Sequence, residues 1–317
     1  MSVTLDDIRA ASARIRGHVA ETPLLRDDAL SARLGQPVLM KCEYAQPTGA
    51  FKLRGATNAI LSLGDARGVV TASTGNHGRA LAHAARALGL PATVCLSRLV
   101  PANKVDAIRA LGAQVRIIGD SQDQAMAEVA RAVTDDGLTQ IPPFDHADVI
   151  AGQGTIGLEI GQNGDWPDAV LVPLSGGGLA AGIAVAIKAI SPATRVIGIS
   201  MENGAAMAAS LRAGHPVEVT EVATLADSLG GGIGLDNRLT FALCRDLLDG
   251  VLLVSEAEIA AAIRHLGQAG HMVEGAGAVG HAALLSAKFT PQGPTVTILS
   301  GGNIDPALHA RLMEAAA

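Results

Sequence analysis

The chain has 317 residues, 49% of them hydrophobic, enough to bury a substantial core in one large or two modest domains. A formal net charge of -6 and only six aromatic residues (four Phe, one Trp, one Tyr) disfavour a polyanionic partner and leave no stacking platform, so no nucleic acid is expected. Cys42, Cys95 and Cys244 lie far apart without a CxxC pair, which argues against a disulfide framework or a zinc site and for a reducing compartment.

The opening "MSVTLDDIRAASARIRGH" reads as a helix capped at or near Thr4, and it lacks the apolar centre of a signal peptide. No apolar run reaches the roughly 20 residues needed to span a bilayer. The expectation is a cytoplasmic protein with no membrane partner. Strand candidates follow in order: "GVVTAS" (68–73), "ATVCLS" (92–97), "AQVRIIG" (113–119), "AVLVPLS" (169–175), "RVIGIS" (195–200), "GVLLVS" (250–255) and "PTVTILSGG" (294–302). Alanine-rich helical stretches separate them, including "NHGRALAHAARALG" and "NKVDAIRALG", which end at Gly89 and Gly112. This alternation predicts an α/β fold with mostly parallel sheets covered by helices.

Four glycine-rich corners stand out. In the first, a strand runs into Ser175, Gly176, Gly177 and Gly178 and then a helix near Leu179, where bare backbone amides and the helix dipole can hold a phosphate. The same segment fits G-x-G-x-x-A through Gly176, Gly178 and Ala181, with Glu202 after the next strand, so a dinucleotide-binding dehydrogenase competes here. Against it, Pro173 and Leu174 end the strand, and a dehydrogenase gives Lys52 no role. The second corner sets Ser73, Thr74, Gly75, Asn76 and His77 between a strand and a helix, suited either to a carboxylate or simply to capping the helix. The third turns the chain at Ser300, Gly301, Gly302 and Asn303, and the fourth places Glu274 before "GAGAVGHAALL".

Taken in order, "TGAFKLRGA", "STGNHG", "VIAGQGT", "SGGGL", "VEGAGAVG" and "LSGGN" resemble the serine/threonine dehydratase family of fold type II pyridoxal-phosphate enzymes over nearly the whole chain. The stretches "ASTGNHGRALAHAA", "SRLVPANKVDAIRALGA", "TLADSLGGGIGLDNRLTF" and "VSEAEIAAAIRHL" look most like the hydroxyectoine-utilisation branch. The resemblance implies two open twisted α/β domains: a large one from 1–64 and 146–317, and a small one from 65–145 bearing the substrate-carboxylate loop. It implies pyridoxal 5'-phosphate as cofactor and a homodimer. Lys52 would carry the cofactor as an internal Schiff base and later take the substrate's α-proton, which requires that it spend time as a neutral amine. Phe51 would pack on the pyridine ring, Asn76 would bond its 3-hydroxyl, Ser175 through Leu179 would hold the phosphate, and Ser300 would face the ring nitrogen. Glu274 would border the cofactor. Ser73, Thr74, Asn76 and His77 would meet the carboxylate of a small amino-acid substrate.

The implied reaction is β-elimination of water from a 3-hydroxy-2-amino acid, giving a 2-keto acid and ammonia. Within the family, 3-hydroxyaspartate dehydration and racemisation are alternatives, the latter with Thr74 as the far-face acid. Cysteine synthase-type replacement is disfavoured by His77 and Gly78. A cofactor-binding protein without catalysis and a nicotinamide dehydrogenase are the remaining readings. Ala50 and Ser175 are minor departures from the family pattern. Ser200 and Ala206 stand where racemases carry cation-binding carboxylates, so no metal is expected there. No regulatory domain is expected after the Ser300 corner. Because intact hydroxyectoine offers no primary amine, that branch would imply a ring-opened 3-hydroxy-2,4-diaminobutyrate derivative as substrate.

Overall fold

A computed structural model describes residues 3–73, 75–100, 102–162 and 164–314. Thr74, expected at the substrate, lies outside them. Among the described residues the strands are β1 (Leu24–Arg26), β2 (Val38–Lys41), β3 (Val69–Thr71), β4 (Ala92–Leu96), β5 (Gln114–Ile117), β6 (Thr139–Gln140), β7 (Ala169–Pro173), β8 (Arg195–Met201), β9 (Gly250–Val254) and β10 (Thr295–Ile298). The helices are α1 (Leu5–Ile15), α2 (Asp28–Leu34), α3 (Lys52–Leu61), α4 (Asn76–Ala87), α5 (Ala102–Ala110), α6 (Gln122–Asp136), α7 (Ala147–Ile160), α8 (Gly178–Ile190), α9 (Ala206–Ala213), α10 (Thr240–Leu247), α11 (Glu256–Gln268), α12 (Gly275–Leu285) and α13 (Pro306–Glu314). None of these helices is long and apolar enough to cross a membrane.

Two sheets result. One has six strands in the order β1-β2-β10-β7-β8-β9, the other four in the order β5-β4-β3-β6. Every pairing is parallel except β1 with β2. The seven strands legible in the sequence are buried on both faces or, like β5 and β9, are Val/Ile/Leu-bearing runs bounded by Gly or Ser. Three were not legible. β1 is a three-residue exposed edge, β6 has only two residues, and β2 ends in Lys41, a charge that belongs to a buried cluster rather than to solvent.

The larger sheet is covered on one face by α1, α7 and α8 and on the other by α2, α11 and α12. The four-stranded sheet draws its strands from 69–140. Its main core also takes in Leu53, Ala56, Ala59 and Ile60 of α3 and Val149 of α7, so α3 packs toward the small sheet although it starts at the large one. Thr4 does cap α1, in a reciprocal capping box with Asp7.

The start of α3 is anchored by charge. Arg54 is fully buried and grips Glu43 with two parallel bonds of 2.8 Å, Nε to Oε2 and Nη2 to Oε1. Its Nη2 also donates to Glu159 Oε2 at 2.8 Å and its Nη1 to Thr155 Oγ1 at 3.1 Å. Lys41 at the end of β2 donates to Glu159 Oε2 and to the Thr22 carbonyl. Burial works against the Glu43 carboxylate, yet the Arg54 guanidinium holds it below the usual range. Two cations and two anions therefore balance inside the protein, and removing one leaves an uncompensated buried charge. Arg54→Ala is expected to cost about 3–5 kcal/mol, read as a lowered urea midpoint. Arg54→Lys should recover little of it, because an ammonium cannot make the paired bonds to Glu43.

Candidate active site

The site lies where parallel strands end. At the carboxyl end of β2 a short 3-10 turn, Glu43–Ala45, leads to Lys52. The chain leaves β7 at Ser175, β10 at Ser300, β3 at Ser73 and β6 at Pro143. Carboxyl ends in open parallel sheets are where ligands bind, because loops from neighbouring strands diverge there and leave a crevice. Here the crevice is a cavity of about 1230 Å³ lined by Phe51, Lys52, Ser73, Asn76, His77, Ser175, Gly176, Gly177, Gly178, Leu179, Glu274 and Ser300. All the residues expected at the site, Thr74 apart, are thus brought to one space.

Lys52 is enclosed except where it meets the cavity. Its Nζ donates to the Pro143 carbonyl at 2.6 Å and lies 5.2 Å from the Phe51 ring centre. Burial pushes its pKa down to about 8, so the neutral amine is within reach at physiological pH.

The loop after β7 forms a cradle. Helix α8 begins without a side-chain cap, which leaves its first amides free to point into the cavity. Gly177 has φ +88°, a left-handed turn that exposes the backbone. A Cβ on Gly176 would sit 2.3 Å from the Phe144 ring, so a side chain has no room there. An anionic group approaching bare backbone is what these residues fit.

The second corner differs from simple capping. Gly75 is the N-cap of α4 and no side chain caps that helix. Asn76 instead spends its amide across the cavity: Nδ2 donates to Glu274 Oε1 at 2.8 Å, and Oδ1 accepts from Asn303 Nδ2 at 2.7 Å. Glu274 Oε2 accepts the Asn303 backbone N–H at 3.1 Å. Burial, with some help from the Asp227 charge, raises the Glu274 carboxyl to about 7. Asn303 was visible in the sequence only as part of a turn. Its binding of Asn76, Glu274 and the Thr48 carbonyl is a tertiary fact.

His77 is buried, and its Nε2 lies 2.9 Å from the Ile141 carbonyl, which can only accept. Burial first, then the Lys52 charge, lowers it to about 3. It is therefore a neutral Nε2–H imidazole whose Nδ1 has no hydrogen-bond partner. With its one side-chain N–H committed, His77 can offer a carboxylate only its backbone amide. Pro143 and Phe144, which close the cavity beside Lys52 and the glycine loop, carried no signal in the sequence, since neither residue type has polar chemistry to read.

Residues 15–301 match the family described as "Pyridoxal-phosphate dependent enzyme". A putative threonine dehydratase of Sinorhizobium fredii is 56% identical over 319 residues, covering 98% of this chain and 96% of the relative. The catabolic L-threonine dehydratase of Escherichia coli is 42% identical, covering 96% of this chain and 94% of its own. Among solved structures, maize serine racemase superposes with a TM-score of 0.93 at 34% identity, covering 100% of this chain and 98% of that one. The processed threonine deaminase isoform 2 of Solanum lycopersicum gives 0.90 at 37%, covering 99% and 92%. These matches set aside the dinucleotide reading of the glycine loop. Consistently, Glu202, which that reading needed at a ribose, is tied to Lys288 at 2.9 Å.

Glu274 yields a pH test. The folded state holds its proton more tightly than the unfolded chain, so stability falls as pH rises from about 4.5 to about 7 and is level above. Glu274→Gln cannot ionise and lacks this slope. In urea titrations of the cofactor-free protein, the unfolding free energy of the variant minus that of the wild type should grow across that window. A difference that stays constant over it counts against a raised Glu274.

Proposed function

Because the chain belongs to the serine/threonine dehydratase family of fold type II pyridoxal-phosphate-dependent enzymes, we propose that it eliminates water from a 3-hydroxy-2-amino acid and releases a 2-keto acid and ammonia. The observation that carries this reading is a half-buried lysine of lowered pKa lining one cavity with an uncapped glycine loop at a helix start. When bound, pyridoxal phosphate supplies a covalent hold on the substrate amine and an electron sink for the charge left at Cα.

The residues divide the remaining work. The amides of Ser175 through Leu179 would hold the phosphate. Phe51 would flank the ring and Asn76, itself fixed by Glu274 and Asn303, would orient its hydroxyl side. Ser300 would offer a neutral hydroxyl to the ring nitrogen, which would not enforce a full positive charge there as a carboxylate would and so would favour rapid loss of a β-leaving group. Neutral Lys52 Nζ accepts the α-proton. Ser73 and the first amides of α4, with Thr74 between them in sequence, face the substrate carboxylate. The loss of the 3-hydroxyl as water leaves an enamine, and hydrolysis of its imine tautomer returns one water and frees ammonia. Residues 65–145 act as the small domain. Its closure on the rest excludes water, with the Lys104–Asp227 ion pair of 3.6 Å spanning the cavity mouth.

The substrate's side chain has a specific candidate partner. Arg79 lies one turn beyond Asn76 on α4, lines the same cavity, and has a buried Nε without a hydrogen-bond partner. That favours a longer acceptor-bearing side chain than that of threonine: 3-hydroxyaspartate, or the ring-opened hydroxyectoine derivative suggested by the resemblance.

Three measurements test this. Cofactor-free enzyme should take up pyridoxal phosphate at a rate rising about tenfold per pH unit below 8 and levelling above it, whereas an unshifted lysine would keep rising toward 10. Lys52→Ala should neither retain the cofactor against borohydride nor form ketoacid. In a panel of L-serine, L-threonine, 3-hydroxyaspartate and ring-opened hydroxyectoine, Arg79→Gln should lower kcat/KM for its charged or acylated partner by about tenfold or more relative to L-threonine. Equal losses on all four would remove Arg79 from the specificity argument.

A further inference from the structure

Behind the larger sheet, and lining no part of the catalytic cavity, Asp27, His265 and His281 converge from three elements. Asp27 precedes α2 and caps it, its Oδ1 accepting the Leu30 N–H at 2.9 Å. Its Oδ2 faces His265 Nε2 of α11 at 2.6 Å and His281 Nε2 of α12 at 3.3 Å. The three ligand atoms lie within 4.8 Å of one another.

His281 makes this more than a salt bridge. It is fully buried in an otherwise apolar, glycine- and alanine-rich helix. Its Nδ1 lies 3.2 Å from the Thr297 hydroxyl, whose own proton is directed to the Leu39 carbonyl at 3.4 Å. In the tautomer in which the hydroxyl oxygen accepts, Nδ1 carries the proton and Nε2 presents a lone pair. That nitrogen has no hydrogen-bond partner, although a carboxylate oxygen is only 3.3 Å away. A lone pair turned toward an anionic oxygen whose one donor is His265, with no proton between that oxygen and His281, is an arrangement that a cation would complete. The threonine behind the imidazole is the outer support that fixes the tautomer of histidine ligands.

We propose that Asp27 Oδ2, His265 Nε2 and His281 Nε2 bind one divalent transition-metal ion of the zinc class. Two imidazoles and one carboxylate suit zinc, cobalt or nickel, whereas magnesium and calcium want shells of oxygen. Bonds of about 2.0–2.1 Å at tetrahedral angles put ligand atoms about 3.3 Å apart. The Asp27–His281 spacing already meets this, and the Asp27–His265 spacing must open by less than about 1 Å. His265 can supply that movement, because its side chain is 22% exposed. Coordination uses existing lone pairs and transfers no electron. The proton His265 now shares with Asp27 moves to its Nδ1 or to solvent, and a water fills the fourth position on the exposed side. The ion would join α2, α11 and α12. None of the positions considered for a cation in the sequence, Ser200 and Ala206, takes part.

The test uses the holoenzyme after chelator treatment and dialysis. Cobalt(II) should bind at one equivalent per chain with the intense visible absorption of a tetrahedral site, zinc should displace it, and zinc should raise the unfolding temperature. His265→Ala, at a part-exposed position, and Asp27→Asn, which keeps a cap for α2, should each lose the binding at least about a hundredfold while retaining the cofactor's colour. No binding near one equivalent, or cobalt that remains in both variants, overturns the proposal. Because the readout is metal uptake, its failure leaves the dehydratase reading untouched, and the reverse also holds.

Discussion

Two residues beyond Lys52, a guanidinium with no access to water grips two carboxylates, and the geometry of the cavity depends on that grip. Arg54 ties the first turn of α3 to the turn after β2 through Glu43 and to the far end of α7 through Glu159, with Lys41 completing the charge balance. Such a cluster adds little net stability over a well-packed apolar core. What it contributes is direction. Each paired bond works at only one relative placement of the elements, so the helix that begins at Lys52 cannot slide or rotate without stranding charge.

The same low-polarity interior sets the chemistry beside it. Within one cavity, burial lowers Lys52 to about 8, lowers His77 to about 3 and raises Glu274 to about 7. All three shifts disfavour charge. A neutral amine at Lys52 is favoured by that, while backbone amides at the starts of α4 and α8 offer anions an attraction that does not depend on protonation. Attraction by amides and the ionisation of Lys52 are thereby separate over a range of pH.

Helix α12 illustrates how one segment serves two faces of the protein. Its N-terminal neighbour Glu274 reaches into the cavity to Asn76, while His281, two turns along, is turned toward Asp27 and His265 behind the sheet. The intervening glycines and alanines read in the sequence as a mere helix start. Their small size lets the helix lie closely on β10, where a Cβ on Gly280 would come within 3.2 Å of the Thr297 side chain.

The sequence by itself determined the parallel α/β class, seven of the strands and the glycine loop, because apolar runs and glycine corners are local features that survive in one dimension, while the set of residues around Lys52 followed from the resemblance of its ordered motifs to a known family. It did not reveal β1, β2 or β6, whose identity rests on pairing rather than on pattern. Only the tertiary structure decided that Arg54 and Lys41 are buried with their carboxylates, that Asn303 holds Asn76 and Glu274, that His77 is neutral with its N–H spent on Ile141, and that Asp27 meets two histidines more than two hundred residues away. Each of these depends on which charges and donors are brought together out of water, and hydrogen bonds and ion pairs between distant segments leave no spacing for a sequence to record.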